Sequence, residues 1–140
     1  MSTEFKKFLT ISFIFLITII LSIIFAPLGG YIHNSFWEFQ GCWFWGICDQ
    51  NSLVEGFIYA YILLLALFSF SILKQKTAWL TFIFGTILFW VMQLFFIFTE
   101  GLSYMKDEYI GSLIIMVCSS ITGWLLAQGS LLVYKKFKKT

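Results

Sequence analysis

Two cysteines, Cys42 and Cys48, stand six positions apart between the first two apolar segments of the chain. On an oxidising membrane face such a pair can close a disulfide, which the loop-entropy argument credits with roughly 2 kcal/mol of stability. Catalytic dithiols instead sit in Cys-x-x-Cys, where a helix N-terminus lowers the pKa of one thiol. The spacing therefore favours a structural disulfide, with two free thiols or a working redox pair as alternatives.

The residues around these cysteines are aromatic. Tryptophan and phenylalanine occupy the short ring between the two cysteines, and a further tryptophan precedes it. Large aromatic side chains are common anchors in protein interfaces, and tryptophan also favours the membrane–water interface. We therefore expect this segment to bind a partner or lipid headgroups, through Trp37, Trp43, Phe44 and Trp45.

The acidic residues and the single histidine do not show the spacing of a metal site. No two of them form an i, i+4 pair or a His-x-x-Glu motif, so we expect a solvated acidic rim and no metal. Phosphate-binding loops, nucleophile motifs and haem-attachment motifs are also missing from the sequence, which predicts neither a catalytic residue nor a cofactor. The residues considered are His33, Glu38, Asp49, Glu55, Glu100, Asp107 and Glu108.

Polar residues inside the apolar segments offer one further site. Thr86, Gln93 and Glu100 recur at seven-residue steps and would form one polar line on a helix, while Glu55 and Tyr59 head a face of another helix. Polar groups in a bilayer are costly and often functional. If these faces meet, Glu55, Tyr59, Gln93 and Glu100 line a crevice that opens outward; the alternative is simple hydrogen bonding between helices.

The apolar segments that would carry these residues are membrane spans. Of the 140 residues 60% are hydrophobic and 11% are charged, which excludes a disordered chain and an ordinary soluble domain. Four stretches of 30, 18, 23 and 26 residues contain no Asp, Glu, Lys or Arg. A helix needs ~20 apolar residues to cross the hydrocarbon, so each stretch holds one crossing. The predicted spans are 8–28, 53–73, 78–99 and 110–134.

The lysines predict the orientation of these spans. With the N-terminus inside, eight of nine lysines and one of seven acids are cytoplasmic, so the inner face carries +7 and the outer face −5. We expect both termini in the cytoplasm, in a bacterial inner (plasma) membrane. The membrane orientation accounts for the positions of the lysines, so no nucleic-acid partner is predicted. The inner lysines are Lys6, Lys7, Lys74, Lys76, Lys135, Lys136, Lys138 and Lys139.

Lipid cannot satisfy free backbone groups, so the continuous apolar runs predict helices and not a barrel of alternating strands. The first run is longer than the apolar core of a signal peptide and is expected to remain as a span. Pro27 and Gly29-Gly30 are expected to end that helix and to open an outer loop over 29–52. The sequence thus predicts one membrane domain, 1–140, folded as an antiparallel four-helix bundle.

Small residues predict how the helices pack. Helices in lipid associate through close approach of small side chains, which recur here at helical spacing in three spans. Intramolecular packing is the main expectation and a homo-oligomer face the alternative; the hydroxyls among them can also bond to their own helix. The residues are Thr18, Ser22 and Ala26, then Gly85, and then Ser119, Gly123 and Ala127.

These features favour a non-enzymatic accessory or interaction subunit that acts through its outer loop and helix faces, with a membrane protein or a second copy as partner. Three alternatives remain open. A small oligomeric transporter or channel would use the crevice residues. A membrane thiol oxidoreductase would use Cys42 and Cys48. An immunity or exclusion protein against a membrane-active toxin would share the same size and number of spans.

Overall fold

The computed structural model describes residues 2–37, 50–100 and 110–140. Within these ranges the chain is helical and has no strand, as the sequence predicts. The four helices are α1 (Thr3–Trp37), α2 (Gln50–Ile72), α3 (Gln75–Glu100) and α4 (Ile110–Lys139).

Three of these helices contain a segment long and apolar enough to cross a membrane. Their mean hydropathies are 2.8, 1.8 and 1.5, in α1, α2 and α4 respectively. This confirms the prediction of a helical membrane protein, because a helix of about 20 apolar residues spans the hydrocarbon core. The segments are Thr3–Ile32, Glu55–Ile72 and Leu113–Lys139.

The predicted end of the first helix is wrong. α1 continues through Pro27 and through both glycines to Trp37, so the segment between the first two helices begins nine residues later than Gly29. Membrane helices tolerate proline where neighbouring helices compensate the lost backbone bond. At 35 residues α1 is about 52 Å long, more than the ~30 Å of hydrocarbon.

A two-residue connection folds α3 back along α2. α2 ends at Ile72 and α3 begins at Gln75. The backbone N–H of Leu73 donates to the Ser69 carbonyl oxygen at 3.0 Å, and that of Ala78 to the Lys74 carbonyl oxygen at 2.8 Å. Backbone hydrogen bonds thus continue to the last turn of α2 and begin at the first turn of α3, so the connection between the two helices is short and tightly held.

α2 forms the centre of the protein. It packs against α1, α4 and α3, and half of its apolar segment is buried, compared with 17% in α1 and α4. The outward faces of the surrounding helices are apolar, as a hydrocarbon environment requires. The main core cluster comes mostly from α2 and consists of Ile14, Ile58, Tyr59, Tyr61, Ile62, Leu65 and Met116.

Several hydroxyl groups within the spans bond to their own helix. Ser22 donates to the Thr18 carbonyl oxygen at 2.6 Å, and Ser130 donates to the Leu126 carbonyl oxygen at 2.7 Å. Such bonds to the residue four positions earlier satisfy a hydroxyl without a second helix. These serines are therefore compatible with a dry interior and do not by themselves indicate a polar path.

Candidate functional site

Glycines bring α1 and α2 into backbone contact. A Cβ atom on Gly29 would lie 2.5 Å from the carbonyl oxygen of Gly56 and 2.6 Å from its Cα. A Cβ on Gly56 would in turn overlap the backbone of Ala26 and Gly30. Only glycine leaves room for this approach, which is typical of helix pairs in membranes. The glycines expected to end α1 therefore serve instead to pack it.

The same α1 face is lined with small residues further toward the N-terminus. Ile14, Thr18 and Ser22 are fully buried, and Ala26 is nearly so. They follow one another at four-residue steps, which places them on one side of the helix. The structure thus places three predicted packing residues, Thr18, Ser22 and Ala26, on the buried side of α1.

α4 meets α2 through a second close approach. A Cβ on Gly123 would overlap the carbonyl oxygen of Leu63 and lie 2.8 Å from the Cβ of Ala66. One turn further along α4, Ala127 is fully buried in a small cluster with Ala66 and Phe70. α1 and α4 therefore each hold to α2 through small side chains, but at different places on its surface.

Between these two attachments lies a cleft of about 270 Å³, which we call the lateral cleft. α2 forms its floor, and α1 and α4 form its walls. The cleft lies toward the C-terminal end of α1, around the middle of α2 and in the first half of α4. Its lining residues are Phe25, Leu28, Gly29 and Ile32 of α1, Tyr59, Ala60, Leu63 and Leu64 of α2, and Ile115 and Ser119 of α4.

The lateral cleft is apolar. Two hydroxyl-bearing residues, Tyr59 and Ser119, are the polar members of its lining. Tyr59 is 4% exposed and belongs to the core, whereas Ser119 is half-buried. Among the described residues, the lining has no carboxylate, lysine, histidine or cysteine, and its mainly apolar surface suits an apolar chain or side chain.

The crevice predicted around Glu55, Tyr59, Gln93 and Glu100 is only partly described. Glu55 is half-buried on α2, and Tyr59 lines the lateral cleft with α1 and α4. Gln93 and Glu100 lie on α3, but their side chains are outside the described part of the chain. Their meeting with Glu55 and Tyr59 stays a prediction.

A different tyrosine joins α2 to α3. The hydroxyl of Tyr61 donates to the carbonyl oxygen of Gly85 at 3.0 Å, and its ring makes an edge contact with Phe89 at 4.9 Å between centroids. Tyr61 was not among the site residues predicted from the sequence. The available signal was a phenol within an apolar run, since a buried hydroxyl in lipid needs an acceptor.

Gly85, also predicted as a packing residue, lies beneath this contact. A Cβ there would meet the Cδ2 of Leu65 at 2.5 Å and the Cε1 of Phe15 at 2.8 Å. Both atoms are the ends of flexible side chains and not backbone. The α2–α3 contact is thus built from movable side chains, in contrast to the two glycine contacts above.

The remaining predicted site residues belong to the predicted outer loop. Cys42, Cys48, Trp43, Phe44 and Trp45 lie outside the described residues, and so does the side chain of Trp37, which ends α1. The disulfide and the aromatic contact surface stay predictions. Within the described ranges, no three His, Cys, Asp or Glu residues come together as a metal site would require.

Comparison with known proteins leaves the chain without an assigned relative. No protein family matches its sequence, no curated protein is significantly similar to it, and no solved structure matches its fold. The function is therefore inferred from the residues and their arrangement alone.

Proposed function

We propose that this chain is a four-span protein of a bacterial inner membrane, with both termini in the cytoplasm, and that it works by contact and not by catalysis. α3 is the fourth span in this proposal. It is 26 residues long and belongs to a stretch with no charge between Lys76 and Glu100. The two-residue turn before it supports the proposal, because a helix that folds back on a membrane span runs through the same bilayer.

The observation that carries the proposal is the closely packed centre of the described bundle. A transporter needs a polar or water-filled path, and polar groups along it mark the route of the solute. Here α2 fills the middle, with Ile62, Leu65 and Ala66 fully buried. The lateral cleft opens between α1 and α4 toward the side of the bundle, where a membrane partner or lipid would lie.

The contact surface is proposed at the outer end of the protein. The lateral cleft includes Gly29 and Ile32 near the C-terminal end of α1, and the segment that follows α1 in the chain carries Trp43 and Trp45. Aromatic anchors beside an apolar cleft are what a protein interface concentrates at its centre. A membrane-protein partner or a second copy of the chain would be recognised there.

Photo-crosslinking in the intact membrane tests this proposal. A photoreactive side chain replaces Ile32 or Trp43 at the outer end, and Trp79 at the start of α3 as a matched position at the inner end. We expect one adduct of defined mass from the outer positions and none from Trp79, because recognition is confined to the outer surface. Adducts with many proteins, or equal yields from all three positions, would overturn it.

Flux measurements separate the contact protein from the transporter. Purified protein in proteoliposomes should pass ions and small solutes no faster than empty vesicles do. Flux that falls on Gln93→Leu and on Glu55→Gln would support the outward crevice and contradict the contact proposal. The variant Thr10→Val is the matched control, since Thr10 lies near the cytoplasmic end and its hydroxyl bonds to the Lys6 carbonyl oxygen.

Thiol chemistry tests the two cysteines and the orientation. Non-reducing gels with thiol labelling should show Cys42 and Cys48 joined, and replacing both with serine should lower stability by roughly 2 kcal/mol without abolishing function. Loss of function with unchanged stability would favour the redox alternative. A cysteine placed at Thr140 should react with a cytoplasmic label, and protection from it would refute the proposed orientation.

A further inference from the structure

α4 carries two glycines with opposite surroundings. Gly123 packs against α2, as described above, whereas no atom of the described residues lies within 4 Å of the position that a Cβ on Gly129 would take. Glycine is the least favourable helix former after proline, so an unfilled glycine in a span gains nothing from packing within the chain. Gly129 leaves a notch on the outside of α4.

Apolar side chains extend this notch into a shallow groove along the inner end of α4. Its sides combine large aliphatic and aromatic groups with one serine and one tyrosine hydroxyl, and all of it faces outward. We call it the α4 groove. Its lining residues are Leu125, Leu126, Gly129, Ser130, Val133, Tyr134 and Phe137.

Of the four lysines at the end of α4, Lys136 lies nearest to the side of the groove. α4 remains helical through Lys139, so Gly129, Val133 and Lys136, at steps of four and three, share one side of the helix. Lys135 and Lys138 are rotated away from that side by the same register. Lys136 therefore stands where the apolar groove reaches the membrane surface, one turn beyond Val133.

We propose that the α4 groove binds one anionic phospholipid, with an acyl chain along Gly129 and Val133 and the phosphate paired with Lys136. This rests on the membrane insertion and orientation proposed above, but not on the contact function. Charge complementarity favours the lipid, because the basic end of a span attracts anionic headgroups. A second copy in the same orientation would bring two lysine tails together, which like charges oppose.

Competition between two lipids tests the site. Purified protein is offered equal amounts of phosphatidylglycerol and phosphatidylcholine of the same chain length, and the lipids that remain bound are counted by native mass spectrometry. We expect phosphatidylglycerol to dominate. Lys136→Gln should weaken its binding about fivefold, which corresponds to the ~1 kcal/mol contributed by a lysine near a membrane surface.

Matched variants separate a site from general attraction. Lys135→Gln removes the same charge one residue away and should change phosphatidylglycerol binding less than twofold. Gly129→Leu fills the groove and should reduce retention of both lipids, while helicity by circular dichroism stays unchanged because open space receives the side chain. Equal effects of Lys135→Gln and Lys136→Gln, no effect of Gly129→Leu, or a dimer mass in place of the lipid adduct would each overturn the proposal. None of these results would alter the outcome of crosslinking at Trp43.

Discussion

The contact of α1 with α2 and the contact of α3 with α2 are built in different ways. At the first, Gly29 and Gly56 bring two backbones together and no side chain separates them. At the second, Tyr61, Phe89 and Phe57 lie between the helices and one hydroxyl bonds across to a carbonyl oxygen. The α1–α2 contact requires that both helices lack a side chain where they approach, whereas the α2–α3 contact requires the side chains that fill the space between the helices.

The two kinds of contact differ in how readily they accept a change of side chain. A backbone cannot yield without moving a whole helix, whereas an aromatic or leucine side chain can change rotamer at low cost. The α1–α2 contact therefore fixes how these two helices are arranged, including one wall of the lateral cleft. The α2–α3 contact is expected to absorb substitutions by local repacking.

The largest effect is expected from Gly56→Ala. The new methyl group overlaps the backbone of Ala26 and Gly30, so α1 must move away from α2. We expect a loss of about 1–3 kcal/mol, the usual cost of overpacking, and a widened lateral cleft. Unfolding by SDS in mixed micelles measures the loss. A variant as stable as the native chain would show that the two helices do not pack this closely.

Tyr61→Phe should have the second largest effect. It keeps the ring between the helices and removes only the hydroxyl that bonds to the Gly85 carbonyl oxygen. Hydrogen bonds between membrane helices contribute ~0.6 kcal/mol on average, so a loss near that size is expected in the same SDS titration. Tyr134→Phe is the control, because Tyr134 is exposed near the end of α4. Equal losses of stability for both variants would show that the Tyr61 hydroxyl does not stabilise the contact between α2 and α3.

Gly85→Ala tests most directly whether the side-chain contact accepts a methyl group that the backbone contact does not. The added methyl group meets only the ends of Leu65 and Phe15, which can turn aside. The gain in helix propensity, up to ~1 kcal/mol, offsets the cost of repacking, so stability should change little or rise. The same SDS unfolding measurement compares Gly85→Ala with Gly56→Ala. If the two variants lose the same stability, the distinction between backbone and side-chain contacts is wrong.

The smallest effect is expected from Thr18→Val. Among the described residues the buried Thr18 hydroxyl has no hydrogen-bond partner, so an isosteric methyl group removes a desolvated polar atom. We expect stability to rise by less than ~1 kcal/mol. Ser22→Ala is the matched control, since it removes a satisfied hydroxyl one turn away and should lower stability slightly. A marked loss from Thr18→Val would indicate an acceptor for that hydroxyl.

Charge spacing predicted the helices well because charges are expensive in lipid and cluster where spans end. The predicted spans 53–73, 78–99 and 110–134 fall within or next to α2, α3 and α4. The end of α1 could not be predicted in this way. Pro27, Gly29 and Gly30 stop a helix in water, and only the position of Gly56 on a neighbouring helix shows why they do not stop this one.

The lateral cleft could not be predicted from the sequence either. Its existence depends on where α1 and α4 attach to α2, and small-residue steps give the face of a helix but not its partner. Tyr59 was predicted in a crevice with α3 residues, and the structure places it between α1 and α4. Tyr61, two residues away on the same helix, faces Gly85 of α3. Two residues along a helix correspond to a rotation of about 200°, so Tyr59 and Tyr61 face different neighbouring helices. The spacing gives this angle but does not say which helix lies on which side.

The turn between α2 and α3 has a consequence for how the protein is made. With only Leu73 and Lys74 between the helices, the ribosome completes α2 and almost at once begins its return partner. Such a pair can close as a hairpin as soon as α3 is complete. α1 is synthesised first, yet its glycine contact can form only after Gly56 of α2 has been made. The central helix is therefore required for each later contact, and α4 joins it after the others have been synthesised.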